Sequence, residues 1–151
     1  RQPENWNVFD SDILRWHTEV GHGDEIMRNL VEVRQIMEPA AARLAAGRAS
    51  MDDLRRMDDA LADMVANSTN REGYAHADVE FHLAVYAASH NVLLRQFGSV
   101  VADFMYASFT VQQATAADDE VFLEDAETHA AVFHAINGGN GERAAETMLH
   151  V

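Results

Sequence analysis

Cysteine and lysine are absent from this sequence, and proline occurs only twice in 151 residues. Without cysteine, nothing in the fold depends on disulfides, and thiolate nucleophiles and thiolate metal ligands are excluded. Long apolar runs are missing as well. The stretch from Leu93 to Met105 is interrupted by charge, and no segment reaches the roughly 20 apolar residues that span a bilayer. The first residues, RQPENWNVFD, contain no apolar h-region of a signal peptide. The expectation is therefore a cytoplasmic protein with no membrane partner. Catalytic signatures are equally scarce: there is no HExxH, GxSxG, P-loop or GxGxxG. A di-iron bundle enzyme would carry two E-x-x-H motifs, and Glu19–His22, which runs through Gly21, is the only one. The sequence is not expected to be an enzyme.

All 11 basic residues are arginine, set against 25 acidic ones, for a formal net charge of −14. Such a surface repels phosphate backbones, so this chain alone is not expected to bind nucleic acid. The acidity reads first as a solubility device. The length suits one domain with a core of its own.

Abundant Ala, Leu, Met, Glu and Arg, with no alternating β-branched run, point to helix throughout. Ser11 and Asp12 can cap a short helix to Val20 that carries Ile13, Leu14 and Trp16, before Gly21-His22-Gly23 breaks it. A second helix, Asp24 to about Ala46, has Ile26, Leu30, Val33, Met37, Ala41 and Leu44 at helical spacing, with a kink expected before Pro39. Ser50 and Asp53 read as a capping box for a third helix bearing Leu54, Met57, Leu61 and Met64. A fourth covers roughly Arg71 to Ser89. A fifth, from Val92 to about Ala114, is apolar on more than one face (Leu93, Leu94, Phe97, Val100, Val101, Phe104) and reads as the central, buried helix. After an acidic loop at Ala116 to Asp119, a sixth helix spans about Glu120 to Asn137, and a last one begins near Glu142. The expected fold is all-α, an antiparallel bundle of about six to seven helices.

Asp78 and His82 are four residues apart and share a helix face with Phe81 and Val85 nearby. His129 lies in the sixth helix among Ala130, Val132 and Phe133. Burying such groups is costly unless they pair or bind a metal. Spacing alone leaves both readings open, because Asp125–His129 repeats the same D-x-x-x-H pattern. One carboxylate and two imidazoles would suit zinc first, with nickel, manganese or iron as alternatives. Arg34, near the core face of the second helix, needs an anionic partner, either Glu38 four residues on or a bound ligand.

Three segments, NLVEVRQIMEPAAARLAAGRAS (29–50), ADVEFHLAVYAASHNVLLRQF (77–97) and THAAVFHAINGGNGERAAETM (128–148), occur in the order and spacing of one known domain. The sequence resembles the FCD domain, the C-terminal effector domain of the FadR subfamily of GntR transcription regulators. The lead-in WNVFDSDILRW (6–16) is similar to regulators of sugar-acid catabolism within that family. The resemblance implies a helical bundle with a central ligand and metal cavity over residues 12–151, preceded by a linker remnant at 1–11. It also implies a winged helix-turn-helix, outside this chain, through which alone DNA is bound, and a homodimer. Asp78, His82 and His129 fall on three of the four metal positions of metal-containing members. The fourth falls on Val151, one residue after His150. Arg34 matches an arginine that in this family points at the carboxylate of a small effector. The implied function is a ligand-sensing domain for a small carboxylate, most plausibly a sugar acid. A helical interaction module without a small ligand, or an enzyme using the same metal cavity, are the competing readings.

Overall fold

The computed structural model describes the backbone of residues 23–112 and 119–151 and the side chains of 24–106 and 121–151. Among the described residues there are six helices and no strand. They are α1 (Gly23–Arg48), α2 (Met51–Ala66), α3 (Arg71–Ala88), α4 (Val92–Gln112), α5 (Asp119–Asn137) and α6 (Gly141–Met148). The helix expected at 11–20 and most of the loop expected at 116–119 lie outside the described residues, and Asp119 opens α5. None of these helices is long and apolar enough to cross a membrane.

Short polar side chains set the helix starts. Ser50 Oγ accepts the Asp53 amide at 3.1 Å, and Asp53 Oδ2 accepts the Ser50 amide at 2.8 Å. This is the expected reciprocal capping box, which satisfies two donors a helix start would otherwise leave open. Asn70 caps α3 through the Gly73 amide, Asn91 caps α4 through Leu93 and Leu94, and Asn140 caps α6 through Arg143. The turn into α6 passes through Gly139 at φ 72°, a left-handed conformation that glycine adopts without strain. α1 continues through Pro39 as a single helix. At its end, Arg48 donates to the Ser89 carbonyl at the C-terminus of α3, where a cation opposes the negative end of the helix dipole.

The central helix is α3, which packs against α1, α2 and α4. Its buried residues include Ala75, Ala77, Ala84 and Ala88 beside Phe81, Val85 and Tyr86. Small alanine side chains allow neighbouring helix axes to come close. α4 is not the central element: Leu93 is 76% exposed and Val92 is also exposed, while Leu94, Val101, Phe104 and Met105 face inward. Its apolar excess near the start faces solvent, because α4 packs chiefly on α3 and only lightly on α1. On α2, Met57 and Leu61 belong to the buried core cluster and Leu54 packs against it, partly buried. α2 turns this face toward α3 and α5, so those side chains help hold the bundle together.

Candidate metal centre

α3 and α5 meet through a ladder of side chains one helical turn apart. Tyr74 donates its hydroxyl to Asp125 Oδ2 at 2.5 Å. One turn further along both helices, Asp78 Oδ1 lies 2.8 Å from His129 Nε2. One more turn along α3, His82 Nε2 lies 3.1 Å from the same Asp78 oxygen and 3.3 Å from His129 Nε2. The two imidazoles stand nearly perpendicular, with Phe81 edge-on to His129. Both histidines are buried, whereas the Asp78 side chain is 18% exposed. The structure thus brings Asp78, His82 and His129 together, with one ligand atom from each within 4.8 Å of the others.

The outward nitrogens decide what this cluster can do. His129 Nδ1 donates to the Asp125 backbone carbonyl at 2.6 Å. His82 Nδ1 lies in direct ion-pair contact with Glu38 Oε1, without the geometry of a well-formed hydrogen bond. With each Nδ1 facing outward, toward the Asp125 carbonyl and Glu38, both rings turn Nε2 inward, toward one another and toward Asp78 Oδ1. Two inward N–H groups would face each other across 3.3 Å. A divalent cation there would replace those protons, accept both lone pairs and neutralise the carboxylate. The donor set, two imidazole nitrogens and one carboxylate oxygen, fits the three protein ligands of an open zinc site or a related borderline metal. Asp125 contributes through its backbone, and its carboxylate holds Tyr74.

The same contacts set the direction in which each group's ionisation shifts. Burial works to raise the Asp78 carboxyl, but hydrogen bonds from His129 and His82 outweigh it and hold it well below the usual carboxylate range. Burial works to lower His82, yet Glu38 and Asp78 push it up to about 9. Glu38 would rise on burial alone, and His82 and Arg34 hold it down to about 2. Glu38 is only 4% exposed, so it survives as a charge because it is paired on both sides.

Arg34 binds that same carboxylate, Nε to Oε2 at 2.5 Å and NH2 to Oε1 at 3.3 Å. This is the within-helix pairing that the sequence offered as the alternative to a ligand. It uses two of the five guanidinium N–H donors, and Arg34 also lines a cavity of ≈ 170 Å³ with Val31, Gln35, Glu38, Met148, Leu149 and Val151. The cavity therefore lies between α1 and the end of α6, and Glu38 is the wall it shares with the cluster. Nearby, the Tyr86 hydroxyl lies against Glu38 without a well-formed hydrogen bond among the described residues, and burial and the Glu38 carboxylate push its pKa well above the usual tyrosine range.

His150 is exposed and does not join the cluster, while Val151 sits in the cavity wall. Both residues follow the end of α6 at Met148, in the turn that closes the chain. His76, His90 and His134 are exposed. Glu38 is the member that sequence reasoning missed as part of the site. Its signal was present as Arg34–Glu38 at i,i+4 on a helix leading into the core.

The FCD domain family matches residues 29–151 of this chain. The chain is 35% identical to the galactonate operon transcriptional repressor of Escherichia coli K12, covering 97% of the chain and 65% of that protein. It is 31% identical to the HTH-type transcriptional regulator LutR of Bacillus subtilis 168, covering 83% of the chain and 58% of LutR. It thus spans less than two thirds of either relative. Its fold is similar to that of Streptococcus agalactiae GntR, with a TM-score of 0.72 at 21% identity over 89% of this chain and 59% of that one. It is also similar to E. coli McbR/YncC, with a TM-score of 0.71 at 16% identity over 82% of this chain and 60% of that one. These relatives are named as transcription regulators and not as enzymes, and the chain belongs to the FCD domain family.

Proposed function

We propose that residues 12–151 form the effector-sensing domain of a bacterial transcription regulator, with 1–11 as the linker from its DNA-binding domain. The effector is a small carboxylate, most plausibly an aldonic or related sugar acid, and Asp78, His82 and His129 hold a divalent ion, zinc before nickel, manganese or iron. The observation that carries the reading is the convergence of three ligand atoms whose two imidazoles both use Nδ1 outward.

The ion would supply local positive charge and a coordination position for effector oxygens. The chain's own residues do the rest. Arg34 offers its remaining N–H donors to a carboxylate in the cavity, a planar fork that lysine would not reproduce. At ≈ 170 Å³ the cavity is smaller than the roughly 300–1,000 Å³ of drug-sized ligand sites, which favours a small acid. With a net charge of −14 the surface does not attract anions generally, so affinity must come from these local groups. The name of the galactonate operon repressor supports a sugar acid as the class to test. Occupancy would bias the placement of two DNA-binding domains in a homodimer, and so operator affinity.

The test is thermal unfolding of the domain against a panel of sugar acids and hydroxy acids, with and without zinc. The reading expects a zinc-dependent rise in Tm with at least one acid and no turnover of that acid. A panel without any shift would favour a helical interaction module, and turnover would favour an enzyme.

A further inference from the structure

Glu38 is a carboxylate that an apolar helix face would ordinarily exclude. It sits next to Pro39 on α1, is 4% exposed, and contacts Arg34 on one side and His82 on the other. Its Oε1 meets His82 Nδ1, and its Oε2 takes Arg34 Nε at 2.5 Å. The contact to His82 crosses from α1 to α3, so it fixes a side chain on a different helix.

We infer that Glu38 is a positioning residue for the candidate metal centre: it anchors His82 by Nδ1 so that Nε2 faces Asp78 and His129, and it ties that anchor to Arg34 in the cavity wall. This rests on the reading of Asp78, His82 and His129 as a metal site. The chemistry is general. An imidazole ligand is most effective when its second nitrogen donates to a carboxylate, which fixes the ring's orientation and raises the basicity of the coordinating nitrogen. His129 obtains its orientation from a backbone carbonyl, which no side-chain substitution removes. His82 depends on a side chain, and that side chain is Glu38. Glu38 also lines the cavity, so its position is common to the centre and to whatever the cavity holds.

The experiment uses zinc alone, without effector, on the full chain and its Glu38→Gln and Glu38→Ala variants. Zinc affinity is read by competition with a chromophoric chelator, and the His82 Nδ1 proton by 15N-edited NMR of the metal-free protein. Glu38→Gln keeps an acceptor oxygen but loses the charge. It should weaken zinc about tenfold and shift the Nδ1 proton upfield. Glu38→Ala should weaken zinc about a hundredfold and abolish the protected Nδ1 resonance. Wild-type zinc affinity in folded Glu38→Gln, or a retained Nδ1 resonance in Glu38→Ala, would overturn the inference. Should Glu38→Ala unfold, the Gln variant decides by both readouts. Should the wild type bind no zinc, the metal reading fails by itself, and the Nδ1 resonance still decides whether Glu38 anchors His82.

Discussion

A Cβ added at Gly98 would lie 2.8 Å from Tyr86 Cβ and Cγ. α4 therefore crosses α3 with glycine against the largest fully buried side chain of the core. Any side chain at 98 must push the helices apart or displace Tyr86. Gly98→Ala should cost about 1–3 kcal/mol by overpacking. Gly47, also helical, has nothing within 4 Å of an added Cβ, so Gly47→Ala should stabilise by about 0.5–1 kcal/mol. Urea denaturation of the two variants checks this contrast, and equal effects would contradict the described α3–α4 contact.

Tyr86 yields a second expectation. Its hydroxyl is buried beside Arg34 and Glu38 and makes no hydrogen bond of good geometry among the described residues. An unmade hydrogen bond costs its desolvation in full. Tyr86→Phe should thus leave the effector-free protein as stable as wild type or up to about 1 kcal/mol more stable. A loss of more than that in chemical denaturation would mean that the hydroxyl has a partner in solution.

The capping box at α2 predicts a pH dependence. Asp53 accepts from Ser50 and pairs with His90 Nε2 at 2.6 Å. Burial opposes the charge, but the bonds from Ser50 and His90 prevail and lower its pKa from the ordinary 3.8. A depressed carboxylate contributes stability that is complete above its unfolded pKa and lost as pH falls through its folded pKa. Asp53→Asn should therefore cost about 0.3–1 kcal/mol at pH 7. The gap between variant and wild type should close as pH falls below the ordinary value of 3.8. Denaturation of both proteins at pH 7 and at acid pH measures it, and a gap that persists in acid would assign the effect elsewhere.

Arg34→Ala separates two roles of one side chain. It removes the bidentate partner of Glu38 and a donor fork from the cavity wall. Losing a charge-assisted contact to an effector costs about 1.5–3 kcal/mol, roughly tenfold to a hundredfold in affinity. The variant should lose stability because buried Glu38 loses one of its two partners, so affinity is read in the folded fraction. Titration of the effector-responsive acid into folded Arg34→Ala reads the loss. Unchanged affinity would leave Arg34 as a structural partner alone.

What the sequence made legible follows from which interactions are local. Asp78 with His82, Ser50 with Asp53, and the Asn caps lie within one turn, and helical periodicity or cap chemistry exposes them. His129 is 47 residues from His82. Its apolar neighbours Ala130, Val132 and Phe133 marked it as inward-facing, but its pairing with Asp78 and His82 followed only from the family resemblance. α3 escaped notice as the central helix because alanines form much of its buried face, and alanine carries little hydrophobic signal. α4 misled in the opposite direction, since exposed Leu93 and buried Leu94 look alike in sequence. The double pairing of Glu38 depends on α1 lying against α3, a tertiary fact that no spacing rule contains.

Zinc titration of the metal-free protein by calorimetry, comparing wild type with His129→Ala, tests the central claim most directly. His129 is the ligand contributed by α5, and its Nε2 lies 2.8 Å from Asp78 Oδ1 and 3.3 Å from His82 Nε2. The account predicts one zinc ion per chain in the wild type. In a variant whose helical circular dichroism is unchanged, it predicts affinity weakened by at least about a hundredfold, about 2.7 kcal/mol. No zinc binding by the wild type, or equal binding by folded His129→Ala, would contradict it.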